Sequence, residues 1–598
     1  MAMCTVQKRR LQLITALACI CFPLAYGTQQ AASFPIAVVD LQIGALSVAT
    51  TVAVQVCAGL MNRNVSVAGA AYTLMRAEDA EWLAIVQPSI PSPPTLTPVD
   101  AFLATCFKVA AGYLRYNYSA QQALVPNLLT VAAVLGAVPL EDGSPYLPTG
   151  TPLLFDAVTA WAGFNALNAT AAVYAAYGPR TTTMAMMDPG YDYSADPLAP
   201  VLTRMPDLGL ADYIVSARLF NFFMVGACIN GSDEHVLMET MVRERAAGAW
   251  PRPIAVLGYN DALPIAGDIF EAETDCVSSH GIGQVATSGV NNLAFFSTLG
   301  EPITRPLQQP AVPSTVFNAS KTYLGLVVGD GDNIAMVKTD RFHWFADRLA
   351  ACTSSGRSEL RYGAPRCYPV GWSLSPHLLT LAPDMARWFY AGAAATGADY
   401  FVLPPSGHLY AYPSQMQGED SADFIAATEA DCVMMNCSST VAWEFAGTWP
   451  NALADYFPRY GAVDAGGRAV VTAFFAVNVP YMIPVVEFGA DEYAKVLHPP
   501  PNATSVDPVV VFKPNEWRGT TGGAVLPPFM LNATAFAALI NAYPRGTVAH
   551  IYMTSDGGAK LADFDDLVAL LDPHVEVVAP SALAPLAIES ERLRGRGT

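Results

Sequence analysis

The 598-residue chain is poor in charge. Only 14% of its residues are Asp, Glu, Lys or Arg, and 51 acids outnumber 32 Lys and Arg, for a net charge of −19. After Lys8, Arg9 and Arg10 there is no basic run. Phosphate backbones are held by Lys and Arg, so no nucleic-acid partner is expected. Phosphate-loop and dinucleotide fingerprints are missing, as are GxSxG, CxxC and the Cys/His spacing of a zinc site. Their absence argues against nucleotide chemistry, an elbow-type serine hydrolase and redox dithiols, and no cofactor or metal is expected. Ser406 and His408 lie too close together to make a triad on their own. His343, His377 and His408 read as hydrogen-bonding groups in or near the core. Long hydrophobic runs are scarce beyond the N-terminus. The longest, Val470 to Val486, is broken by Asn478, Pro480 and Pro484 and reads as a buried strand with its loop. The Arg-rich end, ERLRGRGT, shows no lipid-anchor tail.

What is present describes a well-buried globular protein: 52% of residues are hydrophobic. Its length calls for two or more domains. The basic cluster at Lys8–Arg10, the apolar segment Leu11 to Ala25 and the small residues at Ala25 and Gly27 form a secretory signal over residues 1–27. That segment is shorter than the roughly 20 residues of a membrane span, and an uncleaved anchor is the alternative. After signal removal no membrane span is expected. Eight cysteines remain, an even number suited to disulfides in an oxidising compartment, with Cys352–Cys367 and Cys432–Cys437 the favoured local pairs. Eight N-x-S/T sequons, at Asn64, Asn117, Asn168, Asn230, Asn318, Asn436, Asn502 and Asn532, point to an N-glycosylated protein that is secreted or held in the secretory lumen. Oligomeric state is not legible.

Residues 34–301 have α/β texture. Strands are expected at Ile36–Val39, Leu153–Phe155, Tyr213–Val215 and Ile254–Leu257, with helices at Leu46–Arg63 and Ala157–Tyr177. Pro-rich residues 302–319 mark a boundary. Residues 320–590 then offer eight hydrophobic strands: Tyr323–Val328, Tyr368–Trp372, Tyr400–Leu403, Cys432–Asn436, Ala469–Ala476, Val509–Phe512, Val548–Tyr552 and Val575–Val578. Helical patterns separate several of them. Repeated strand–helix units imply a parallel sheet, and eight fit a (β/α)8-barrel-like domain, regular or distorted.

In such folds chemistry sits just after the strands. The first strand runs into Gly329, Asp330, Gly331, Asp332 and Asn333. Later strand ends supply Trp372 and Ser375, then Ser406, His408, Tyr410 and Tyr412, then Glu516 and Trp517, then Asp556. Aromatic faces stack on sugar rings while acids and amides bond their hydroxyls, so a carbohydrate substrate fits this rim. Each residue alone has a plainer reading as core or turn.

The segment GHLYAYP, Gly407–Pro413, resembles the GxGYxYP signature of a family of candidate glycoside hydrolases, with Leu409 in place of the second glycine. GLMNR at Gly59–Arg63, DGDN at Asp330–Asn333 and GWSLSP at Gly371–Pro376 resemble the same family in the same order. The resemblance implies an N-terminal α/β region joined to a C-terminal barrel-like hydrolase domain. Leu409 bears on the loop's shape, because glycine adopts positive φ cheaply and leucine does not.

Glycoside hydrolysis needs two carboxyl groups on either side of the scissile bond. Asp330 and Asp332 share one loop, so one of them is expected to work with a partner from another strand: Glu516 first, Asp556 second, Glu444 third. A competing reading takes Asp330, Asp332 and Asn333 as part of a calcium site in a non-catalytic carbohydrate-binding protein.

Overall fold

The computed structural model describes residues 34–42, 46–192, 201–246, 251–258, 269–353, 367–445, 447–461, 470–479, 486–499, 507–518, 531–554 and 560–594. Residues 1–27, expected as a signal, and Asp556 and Asn502 lie outside them.

The N-terminal half is built from small parallel sheets with helices between them. Strands β1 (Ile36–Asp40), β2 (Ala70–Leu74) and β3 (Pro94–Leu96) order as β2-β1-β3. Strands β4 (Gly112–Tyr116), β5 (Ala137–Glu141) and β6 (Leu153–Asp156) order as β5-β4-β6. Strand β7 (Met184–Met186) precedes a short antiparallel pair, β8 (Tyr191–Asp192) and β9 (Val201–Leu202). It joins β10 (Phe220–Phe222), β11 (Ile254–Gly258) and β12 (Ile282–Val285) in the parallel order β10-β7-β11-β12. Tyr213–Val215, expected as a strand, lies in the helix Ala211–Ala217, closed by Arg218 in the left-handed region. Disulfides Cys57–Cys106 and Cys228–Cys276 tie this half together.

The C-terminal half begins at β13 (Thr322–Val328), in which every residue is buried. Strands β14 (Val370–Ser373), β15 (Asp399–Val402), β16 (Ser439–Phe445), β17 (Ala473–Val479), β18 (Ala494–Leu497), β19 (Val509–Phe512), β20 (Glu516–Trp517), β21 (Val548–Met553) and β22 (Val575–Val577) follow. Continuous apolar runs such as VVVF in β19 suit strands covered on both faces. They pair as two sheets, β15-β14-β13-β21-β20 with β22 also on β13, and β16-β17-β19-β18. All pairs are parallel except β18–β19. A parallel bridge, Leu403 to Thr440, joins the sheets on one side, and residues 513–515 carry the chain from β19 to β20 on the other. The inner faces share one cluster that includes Val327, Val402, Val441, Phe475, Phe512 and Tyr552.

The regular eight-strand count is corrected at two places. Cys432–Asn436 is the end of the helix Gly418–Met435, with Asn436 as its left-handed C-cap; the strand is Ser439–Phe445. An asparagine tolerates that cap conformation, which an apolar-run reading does not register. Val575–Val577 pairs with Thr322–Leu324, the beginning of β13, so it adds no strand at the rim. Cys352–Cys367 is bonded as expected, whereas Cys432 and Cys437 form no disulfide, their sulfurs lying 2.8 Å apart as a hydrogen-bonded pair. Of the described sequon asparagines, Asn64 is half-buried and the other six are exposed, including Asn436.

One hydrophobic core runs through both halves. Trp82 Nε1 donates to the Lys338 carbonyl at 2.8 Å, and Gln284 and Tyr410 exchange two backbone hydrogen bonds at 2.9 Å. No helix among the described residues is long and apolar enough to cross a membrane.

Candidate active site

The strand β13 ends in a loop fixed from three sides. A Cβ on Gly331 would lie 1.7 Å from the Ser373 carbonyl oxygen, so only glycine lets this loop press against the end of β14. Gly331 N–H donates to Ser373 Oγ at 2.9 Å, and Ser373 Oγ donates to the Val328 carbonyl at 2.9 Å. Asp330 sits at φ +58°, and its N–H donates to Tyr552 Oη at 2.9 Å. Arg341, buried, sends Nε and Nη2 to the Gly329 carbonyl at 3.0 and 2.8 Å and Nη2 to Asp330 Oδ2 at 3.1 Å. Its guanidinium lies 4.5 Å from the centre of the Trp344 ring.

Asp332 makes no direct ion pair among the described residues, and the charge of Arg341 is only a minor opposing influence on it. Desolvation, and then the negative charge of Asp330, push its pKa up to about 8. A carboxyl group in that state is neutral at pH 7 and can donate a proton. Asn333 caps the next helix: its Oδ1 accepts from Ala335 N–H at 3.0 Å and Met336 N–H at 3.3 Å. Asn333 Oδ1 is thus engaged as a cap, and Asp330 is paired to the Arg341 guanidinium.

Glu516 enters from the other end of the same sheet. It pairs in register with Tyr552, and register partners in neighbouring parallel strands share a face. Tyr552 faces the inner cluster, so Glu516, 7% exposed, shares that inward face. The tyrosine hydroxyl bonded to the Asp330 amide therefore stands between the first-strand acids and Glu516.

The loop after β15 completes the wall. Tyr410 and Tyr412 are buried in the inner cluster, with Tyr410 5.7 Å from Trp443 and Tyr412 6.2 Å from Phe445. His377 Nε2 bonds the His408 carbonyl at 2.8 Å, and His408 Nδ1 bonds Asp431 Oδ2 at 2.6 Å. Burial, and then His408, lower the His377 pKa to about 4. The segments DGDN, GWSLSP and GHLYAYP thus end adjacent strands of one sheet.

Residues 320–444 match the GxGYxYP family. The description of the matching model is the GxGYxYP putative glycoside hydrolase C-terminal domain. No curated protein matches the chain. A solved structure that does, of a putative hydrolase from Bacteroides thetaiotaomicron, aligns with a TM-score of 0.67 at 17% identity over 93% of this chain and 95% of that one. At that identity the likeness is one of fold: mixed α/β with parallel sheets.

Within the GxGYxYP segment, Leu409 departs from the signature without positive φ. It is buried against Gly283 of β12, where a Cβ would lie 2.4 Å from Leu409 Cβ. Glycine on the partner strand makes the room. Gly407 keeps φ +109°. In GLMNR, the early fragment of the resemblance, Asn62 pairs with the Ala71 backbone and Arg63 with the carbonyls of Ser216 and Ala133. Those are packing roles.

Several expected site residues are structural. Trp372 lies on the outer face of the sheet, its Nε1 on Asp399 Oδ1 at 2.7 Å and its ring 5.3 Å from Phe345. Trp517 also turns outward: it stacks on Phe536 at 5.0 Å and donates to the Leu531 carbonyl. Alternation along a strand sends one of each adjacent pair inward, and here Gly371 and Glu516 take that place. Ser406 is buried with its Oγ on the Ala411 carbonyl at 2.6 Å, which closes its own loop. Ser375 is buried just beyond β14. Glu444 is fully buried on the outer face of β16, bound by Ser414 and Thr448, and desolvation raises its pKa to about 7. Asp556 lies outside the described residues. Tyr552, Arg341 and Ser373 were not singled out from the sequence. The only signal for Tyr552 was a polar ring inside the apolar run VAHIYM.

Proposed function

We propose that the protein is a secreted glycoside hydrolase whose site lies at the C-terminal ends of the two sheets, acting together as a distorted barrel. Residues 34–301 form the supporting α/β part, and the boundary falls at 302–319. Asp332 is the general acid and Glu516 the second carboxylate. The observation that supports this reading is that Asp332, whose pKa is raised by desolvation and by the charge of Asp330, follows β13, while Glu516 lies on β20, two strands away in the same sheet. Two strand spacings are roughly 10 Å, a backbone separation from which inward carboxyls can flank a glycosidic bond. Asp330, fixed by Arg341 and Tyr552, supplies the charge that keeps Asp332 protonated. Tyr410 and Trp443 provide aromatic faces for a sugar ring. The family description supports a carbohydrate substrate.

The test is turnover of a panel of aryl glycosides and plant, algal and host glycans by the secreted chain and two variants. Asp332→Asn and Glu516→Gln are each expected to lose about 10²–10⁴-fold in kcat, the range of general acid–base catalysis, with secretion unchanged. Because Asp332 must carry a proton, wild-type kcat is expected to fall as pH rises through about 8. Unchanged turnover in either variant removes that residue from the mechanism. A panel without any turnover, together with retained glycan binding, replaces hydrolysis by binding.

A further inference from the structure

A second cluster lies in the N-terminal half. His235 and Glu239 stand one turn apart on the helix Asp233–Ala246, and His280 follows the helix Ile269–Ser279. Glu239 Oε1 is 3.6 Å from His235 Nε2 and 3.5 Å from His280 Nε2. All three donor atoms fall within 4.8 Å of one another.

The other nitrogens decide what this means. His235 Nδ1 lies 2.9 Å from the Ala227 carbonyl, and His280 Nδ1 lies 2.8 Å from the Cys276 carbonyl. A carbonyl oxygen only accepts, so each Nδ1 carries a hydrogen, which leaves each Nε2, the atom nearest the carboxylate, as the nitrogen able to ligate an ion. Two such nitrogens and one carboxylate oxygen converge on one point. A metal-bound histidine shows this arrangement, its far nitrogen oriented by a carbonyl. Two of the three spacings agree as well, and the third, between the two imidazole nitrogens, is within 4.8 Å. A tetrahedral ion with bonds of about 2.1 Å has ligand–ligand edges of about 3.4 Å, close to the observed 3.5 and 3.6 Å. The disulfide Cys228–Cys276 sits beside both anchoring carbonyls and holds the two segments in place.

We propose that His235, Glu239 and His280 bind a divalent cation of the zinc class, with a fourth position left to water. Two imidazoles and one carboxylate match zinc in donor type and number. The side chains are 12%, 42% and 23% exposed, so an ion can enter from solvent. The ion fastens the end of one helix to the face of the other, in parallel with the disulfide. Neither histidine belongs to a spacing that signals zinc in the sequence, because the ligands are brought together by the fold across 41 residues.

The test uses the full chain with its disulfides intact, stripped with EDTA and titrated with zinc chloride. The expected result is one zinc per chain by elemental analysis after gel filtration, with a Tm that rises on zinc addition. His235→Ala and Glu239→Gln are each expected to weaken zinc binding by at least about tenfold and to abolish the Tm response. Glu239 is half-exposed, so Glu239→Gln keeps the test valid should His235→Ala fail to fold; circular dichroism of that variant checks its fold. A folded wild-type chain that binds no more zinc than Glu239→Gln overturns the proposal and leaves a protonated histidine–carboxylate pair in its place.

Discussion

At the residue scale the central fact is that Asp332 and Asp330, two positions apart, have opposite surroundings. Arg341 and Tyr552 hold Asp330, whereas Asp332 meets burial and its neighbour's charge. The consequence for stability has a definite sign. In the fold Asp332 keeps its proton up to about pH 8, while in the unfolded chain it loses it near an ordinary value of about 4. Between those limits the folded state binds more protons, so the stability tied to this group is full below about pH 4 and is lost as pH rises toward about 8. Asp332→Asn is neutral at every pH. Its Tm relative to wild type is therefore expected to rise steadily between pH 4 and pH 8. A difference in Tm that stays flat or shrinks over that range contradicts a desolvated, protonated Asp332.

At the scale of elements, the loop Gly407–Pro413 and strand β12 form a matched pair. Leu409 occupies the space that Gly283 leaves open, beside the Gln284–Tyr410 bridge. Gly283→Ala is expected to cost about 1–3 kcal/mol through overpacking, and Leu409→Gly at least about 2 kcal/mol through the cavity it leaves. Together they should cost less than their sum, with a coupling of about 0.5–3 kcal/mol in a denaturant double-mutant cycle. Strict additivity is the outcome that rules out mutual accommodation. This contact also marks what was legible beforehand. Strands such as Val509–Phe512 and Val548–Tyr552 were evident because continuous apolar β-branched runs have few other uses. DGDN was evident because glycines and acids end a strand abruptly. Facing was less legible: Trp372 and Trp517 look like sugar platforms until register shows which neighbour points inward. Tyr552 and Arg341 were hidden because their roles depend on pairing across more than 200 residues and on a helical turn after the loop. The Gly283 compensation for Leu409 is a contact between distant segments, so no local pattern carries it.

At the scale of the whole molecule, the turn that steadies the site also fastens the two halves. Lys338 lies in the short helical turn Val337–Arg341, one turn before the arginine that holds Gly329 and Asp330. Its ammonium is buried against Asp79 and reaches the Asn291 side chain at 2.6 Å and the Asn291 carbonyl at 3.1 Å. Asp79 is itself fixed, its Oδ2 accepting from the Met75 and Arg76 N–H groups at 2.8 Å and from Asn291 Nδ2 at 2.9 Å. Lys338→Met would leave that carboxylate buried without its cation, a change that typically costs about 3–5 kcal/mol. Asp79→Asn in the same chain removes the stranded charge, so the double variant should recover part of the loss. Because the core and this ion pair cross between the halves, both variants should unfold in one transition, with tryptophan fluorescence and far-UV circular dichroism coincident. Two resolved transitions in the wild type would show that residues 34–301 and 320–590 are separately stable. The ion pair would then be a local contact, and its loss would leave the first of the two midpoints unmoved.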